Sequence, residues 1–175
     1  MTDLDVNYIT DDVKALIGME SDFCEMPHPV EASEVRRFHH AVMDDSPRYS
    51  DAGASRYGGP VAPLGFPVHM YRRRPGEPDP LDGMDRPDRD GLDRKLRPGL
   101  PPIDVPLTRL LNGGYRYTFY RYAEIGDRIF VKSRYRDIYQ RSGRSGVMVL
   151  FDIEDTYVNQ DRELLLETKN TIILR

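Results

Sequence analysis

Cysteine is nearly absent: Cys24 is the one thiol in 175 residues, which excludes an internal disulfide framework and fits a reducing compartment. The acids of "DFCEM" around it are unlike the electropositive surroundings of reactive thiols, so Cys24 reads as inert. Positive charge is not in excess either. Lys and Arg number 25 against 29 Asp and Glu, a net charge of -4 that does not suit a nucleic-acid partner, which asks for a concentrated basic face. The opening "MTDLDVNYIT" lacks the basic and apolar regions of a secretory signal, and no apolar run approaches the ~20 residues of a membrane-spanning helix. Gly-Lys-Ser/Thr phosphate loops and zinc-type spacings are missing too, so neither a metal nor a nucleotide cofactor is expected. These absences leave a soluble, cytoplasmic protein as the expectation, of one domain over residues 1–175.

What is present divides into three regions. In "ASEVRRFHHAVMDD", Val35, Phe38 and Val42 recur at helical spacing, predicting a short amphipathic helix with Ser33 as N-cap and an end near Asp44. His39 would lie beside its apolar stripe and His40 would point away, unlike ligands at i and i+4 on one face. Turn chemistry follows in Ser-Pro, Asp-Ala-Gly and Gly-Gly-Pro, and then Leu64, Phe66, Val68 and Met70 predict a buried helix starting between Pro63 and Pro67. Residues 72–106 are dense in Pro, Gly, Asp and Arg. They predict an irregular insertion, either a lid or partner arm or a solvated surface loop.

From residue 107 the period becomes two. "YRYTFYRY", "DRIFVKSRYRDIYQ", "GVMVLFDIEDTYVN" and "ELLLETKNTIILR" are rich in Tyr, Val, Ile, Phe and Thr and are separated by turn clusters, predicting an antiparallel meander of at least three long strands. With a short leading strand at "SDFCE", the element order gives an α+β fold. An antiparallel sheet wrapped around a central helix, the hot-dog architecture, fits that order, although periodicity alone does not separate it from other α+β layouts.

Three stretches, "HHAVMDDSPRY", "RYGGPVAPLGF" and "LNGGYRYTFYRYAEIGDRI", together resemble the MaoC-like hydratase/dehydratase family and, within it, the N-terminal-type FAS1-like dehydratase domain. The closing "SGRSGVMVLFDIEDTYVNQDRELLLETKNTIIL" is similar to that group's last two strands, so the likeness runs over about residues 31–174 with 72–106 unmatched. The resemblance implies a hot-dog fold acting on acyl thioesters of coenzyme A or acyl carrier protein, with no further cofactor. The implied reaction is reversible addition of water across a trans-2-enoyl thioester. The family signature runs Asp, one residue, Asn, Pro, one residue, His. On this chain Asp44 matches the Asp, Ser46 replaces the Asn, Pro47 matches the Pro, and Tyr49 stands at the histidine position.

That replacement bears on chemistry, because hydration needs positioned proton transfer worth ~10²–10⁴-fold and a phenol is a poor base near neutrality. The stretch "DDSPRYSDAGASRYGGPVAPLGF" resembles the subunit that lacks the Asp/His pair in heterodimeric dehydratases of fatty-acyl elongation and steroid side-chain breakdown. The partner implied is a hot-dog subunit bearing the full signature, in a heterodimer or heterotetramer. The substrate-binding residues implied are Tyr57, Gly58, Gly59, Leu64, Gly65 and Phe66, with thioester oxygen near backbone N–H groups. The glycines also read as a plain turn, Leu64 and Phe66 as core, and Asp44 as a helix-end residue. Arg72, Arg73 and Arg74 are either phosphate ligands for coenzyme A or a solvated helix end. Two other functions stay open: a homomeric hydratase using Asp44 with a residue outside the signature, and a non-catalytic hot-dog module that stabilises another enzyme. A thioesterase is disfavoured, since "APLGFPVHMY" carries no carboxylate.

Overall fold

Alternating burial along the C-terminal strands organises the molecule. In β4 (Gly146–Val158) the side chains of Val149, Phe151, Ile153, Asp155 and Tyr157 all turn to one buried face, as period-two geometry requires. The computed structural model describes residues 6–70, 76–79, 82, 85–87, 95–143 and 146–175. Among the described residues five antiparallel strands form one sheet: β1 (Cys24–Glu25), β2 (Leu110–Phe119), β3 (Phe130–Gly143), β4 and β5 (Leu164–Leu174). Their order across the sheet is β1-β3-β4-β5-β2. The last three strands are the expected meander, but β2 does not join it through β3; it pairs with β5 and becomes an edge. All ten β2 residues are exposed.

Two layers cover the inward face. Over one half lies α2 (Ala32–Ala41), whose fully buried Val35 packs with Met26, Val30, Phe66, Val131 and Leu166. Glu31, not Ser33, occupies the N-cap, and it makes no side-chain cap bond. Over the other half lie α1 (Asp11–Ala15) and an extended strap, residues 95–107, whose Leu100, Ile103 and Val105 pack on Tyr135, Phe151 and Ile153. Each such apolar side chain, fully buried, contributes about 1.5–3 kcal/mol.

Two sequence expectations change here. The buried helix expected between Pro63 and Pro67 is only one 3-10 turn, Phe66–His69. The Pro67 ring crowds the backbone of the residue before it and disfavours the α conformation at Phe66, which works against a regular α-helix starting there. The insertion, in turn, is not a solvated loop in its final third, because residues 100, 103 and 105 are core. Arg72, Arg73 and Arg74 and most of residues 71–94 lie outside the described residues.

Candidate functional site

Asp44, the acid at the family signature, is placed by the end of α2. After Ala41 the chain turns through Met43 in the left-handed region (φ 56°), and the Asp44 amide donates back to the His39 carbonyl at 3.0 Å. Asp44 Oδ1 accepts from the Ser46 amide at 3.2 Å, a side-chain turn that also starts the 3-10 turn Pro47–Tyr49. That turn swings the Tyr49 hydroxyl onto Asp44 Oδ2, which accepts its proton donor at 2.7 Å. Partial burial, and then the hydrogen bond to Asp44, push the Tyr49 phenol up to about 12. Tyr49 is therefore a protonated donor at neutrality, bound to one of the two Asp44 carboxylate oxygens.

Histidine is nearer to this pair than sequence spacing suggested. The buried His39 ring lies 5.7 Å from the Tyr49 ring, and its Nδ1 has no hydrogen-bond partner among the described residues. His40 does not diverge from it: the two rings meet edge to face at 4.5 Å. With Asp45 they bring one potential ligand atom each to within 4.8 Å of one another, although His40 and Asp45 are exposed.

The following segment forms a second cluster. Gly58 needs its glycine, with φ +77°. Its amide turns back on the Ser55 carbonyl at 3.4 Å, and the Phe66 amide on that of Pro63 at 2.8 Å, so neither donor is free for a thioester oxygen. No helix N-terminus aims donors from Leu64, since the turn that follows has four residues. Phe66 is core, 5.5 Å edge to face from Phe38, whereas Leu64, Gly65, Gly59 and Tyr57 are half-buried. Around Tyr57 gather residues the sequence did not single out. Arg48 donates to the Tyr122 hydroxyl at 2.6 Å, Arg56 to the Tyr57 hydroxyl at 2.8 Å, and the Arg121 guanidinium lies 5.1 Å from the Tyr57 ring centre.

A third element is a cavity of about 730 Å³ between the strap and the sheet, walled by Leu96, Leu100, Met26, Val68, Val131, Tyr115 and Tyr157. A buried polar network anchors its strap wall. Arg97 Nε donates to both oxygens of Asp155 at 3.0 Å, and Asp155 also accepts from Ser133 Oγ at 2.7 Å and Thr168 Oγ1 at 3.0 Å. Arg97 reaches Asn170 Oδ1 at 3.1 Å as well. Burial opposes the Arg97 charge, but the Asp155 carboxylate outweighs it and keeps the guanidinium protonated. This network was missed as an insertion residue and a strand acid; the one signal was Asp155 at an inward position between Ile153 and Tyr157.

Residues 15–168 match the family described as FAS1-like, dehydratase domain region. The chain belongs to the FAS1-like dehydratase family. Solved structures of the same hot-dog fold include the ChsH1-ChsH2 complex from Mycobacterium tuberculosis, 18% identical with a TM-score of 0.64, over 89% of this chain and 83% of that one. The C-terminally truncated HadBC (3R-hydroxyacyl-ACP dehydratase) complex of the same organism is 20% identical with a TM-score of 0.59, over 90% and 96% of the two chains. The (R)-hydratase from A. caviae involved in PHA biosynthesis is 12% identical with a TM-score of 0.59, over 91% and 96%. No curated protein matches the sequence. At these identities the structural likeness establishes the hot-dog fold alone. Among the described residues no helix is long and apolar enough to cross a membrane.

Proposed function

We propose that this FAS1-like dehydratase chain is the substrate-holding subunit of a hot-dog enoyl-thioester hydratase/3-hydroxyacyl-thioester dehydratase, with the Asp/His pair supplied by a partner subunit. The observation that carries the reading is the 2.7 Å bond from Tyr49 to Asp44. Hydration puts a hydroxyl on C3 of the enoyl group and a proton on C2, and a base must deprotonate the water. Here the phenol at the histidine position keeps its own proton and cannot act as the base in its place, which supports a base supplied by a partner.

Two features support a subunit that binds and pairs. The cavity of about 730 Å³ lies within the ~300–1,000 Å³ of small-molecule sites and suits a bulky acyl group, consistent with fatty-acyl or steroid side-chain thioesters. Tyr115, Tyr117 and Phe119 stack along β2 at 5.5 and 5.7 Å, 37–43% exposed, on a strand with no second neighbour among the described residues. Such an edge templates pairing with another chain unless covered, and a second hot-dog sheet continues it. The named complexes among its structural neighbours are in keeping with this assembly.

His39 favours a second reading, an active homomer in which its unpartnered Nδ1 relays a proton at Asp44. One assay separates the two. Medium-chain and bulky trans-2-enoyl-CoA substrates are offered to the purified chain alone and to the chain with a hot-dog partner carrying the Asp/His signature. Turnover only in the mixture supports the divided enzyme. Turnover by the chain alone, abolished by His39→Ala, replaces it with the homomer.

A further inference from the structure

Buried hydroxyls in this fold are paired, with one exception. Among the described residues they belong to Ser21, Ser133, Tyr135, Thr168 and Tyr157. Ser21 Oγ donates to the Asp22 carbonyl at 2.8 Å, Ser133 and Thr168 to Asp155 at 2.7 and 3.0 Å, and Tyr135 to the Pro101 carbonyl at 2.8 Å. Tyr157 is only 5% exposed, yet its hydroxyl makes no hydrogen bond among the described residues. Native folds leave few buried polar groups unpaired, because stranding one is costly. Tyr157 escapes that cost by its position: it lines the cavity of about 730 Å³ under the strap, where water or a ligand can reach its oxygen.

The rest of the wall narrows the choice of ligand. Met26, Val68, Leu96, Leu100 and Val131 make most of it apolar. The Arg97 guanidinium in the same wall is already committed on each nitrogen: Nε to Asp155, Nη1 to the Leu96 carbonyl at 2.8 Å, and Nη2 to Asn170 and Tyr115 at 3.1 and 3.4 Å. Burial, and then the Asp155 carboxylate, hold the Tyr157 phenol well above its usual range, so it is a donor at neutral pH. An apolar ligand thus meets a buried hydrogen-bond donor, and a pure hydrocarbon there displaces water and strands it.

We propose that Tyr157 is a specificity-determining residue, its hydroxyl donating to a carbonyl or hydroxyl oxygen on the acyl group that fills the strap cavity. Oxygenated bulky acyl groups are then selected over hydrocarbon ones of the same shape. Such selection acts twice, since the oxygenated ligand gains a bond and the hydrocarbon leaves the phenol unpaired. That the occupant is an acyl group rests on the enoyl-thioester reading above; the preference for an oxygenated apolar skeleton does not need the thioester.

The test is a ligand-observed NMR titration of the chain, alone and with its hot-dog partner, using 2-decalone and 2-methylenedecalin, in which a CH₂ group replaces the carbonyl oxygen. Tyr157→Phe removes the hydroxyl and nothing else. Because that hydroxyl holds nothing in the fold, the variant is expected to keep its Tm within about 4 °C of wild type. The ratio of ketone to alkene affinity is expected to fall by about 5- to 100-fold in the variant, the range between a paired and a stranded buried donor. Tyr139→Phe, on β3 and outside the cavity wall, is the control and keeps the wild-type ratio. A ratio changed by less than about fivefold in Tyr157→Phe would overturn the assignment. So would a larger fall in Tm, which would mean that the hydroxyl is bonded within the fold, or binding of neither probe to chain or complex. Turnover of enoyl-CoA substrates reports on the enzymatic reading separately: no turnover with a Tyr157-dependent ketone preference intact refutes that reading and leaves the oxygen site standing.

Discussion

Replacing Arg97 by Met removes the cation from a carboxylate whose side chain is 1% exposed. Asp155 then keeps only the Ser133 and Thr168 hydroxyls, which satisfy lone pairs without balancing charge. Leaving one partner of a buried ion pair uncompensated costs about 3–5 kcal/mol, a large share of the 5–15 kcal/mol typical of a domain. For a chain of this size each kcal/mol lowers Tm by roughly 2–4 °C, so Arg97→Met is expected to melt about 6–20 °C below wild type. With no tryptophan in the sequence, urea unfolding is followed by tyrosine emission and far-ultraviolet circular dichroism. The double variant Arg97→Met/Asp155→Leu is expected to lose less than the sum of the single variants. It is not expected to reach wild-type stability, because it strands two buried hydroxyls at about 1–3 kcal/mol each. A cost below about 1 kcal/mol for Arg97→Met, or strict additivity in the cycle, would refute the claim that this pair clamps the strap to the sheet.

Three further outcomes follow from particular contacts. Because burial and the Asp44 bond raise the Tyr49 phenol to about 12, the folded state holds this proton more tightly than the unfolded one, near 10. Its stabilising contribution is complete below about pH 10 and disappears as pH rises through about 12; Tyr49→Phe should remove one late-titrating phenol from the alkaline absorbance titration, and loss of a group near pH 10 instead would contradict the geometry. Gly99 has φ +76°, and a Cβ there would meet Ser21 Cβ at 2.8 Å, so Gly99→Ala is expected to destabilise by about 1–3 kcal/mol and expose the strap to protease; unchanged digestion would argue against it. Tyr117→Lys places a charge in the middle of the exposed β2 ladder and is expected to abolish co-purification with a hot-dog partner while moving Tm by only a few degrees, about what a surface change allows. An intact complex would mean that β2 is not the pairing edge.

The strands were legible because their signal is local. Phe151, Ile153 and Tyr157 alternate with Asp152, Glu154 and Thr156, and that alternation is the pleat itself. The sheet order was not legible in the same way, since β2 reads like the first arm of a hairpin with β3 and instead pairs with β5 over nine residue pairs. Strand partners depend on contacts distant in sequence. The helix expected near Leu64 failed because an apolar run predicts burial, not conformation, and two prolines within five residues decided the conformation. The strap was misread for the converse reason: a Pro- and Gly-rich segment is irregular, but irregular backbone packs when it carries Leu100, Ile103 and Val105 at intervals of two or three.

The site divides along the same line. That the motif carries a tyrosine where a histidine belongs is a matter of identity at a position, and sequence settles it. What the tyrosine does depends on the turn between Asp44 and Tyr49, and the bond it makes to Asp44 is a consequence of Pro47–Tyr49 coiling back on the end of α2. Arg48 shows the difference most plainly. In "DDSPRY" it looks like a solvated charge between two more informative residues, yet it reaches the hydroxyl of Tyr122, 74 positions away. Such a contact cannot be found by looking for pairs along the chain; it exists only once the fold has brought Tyr122 to Arg48, as it brings Arg121 its two glutamates.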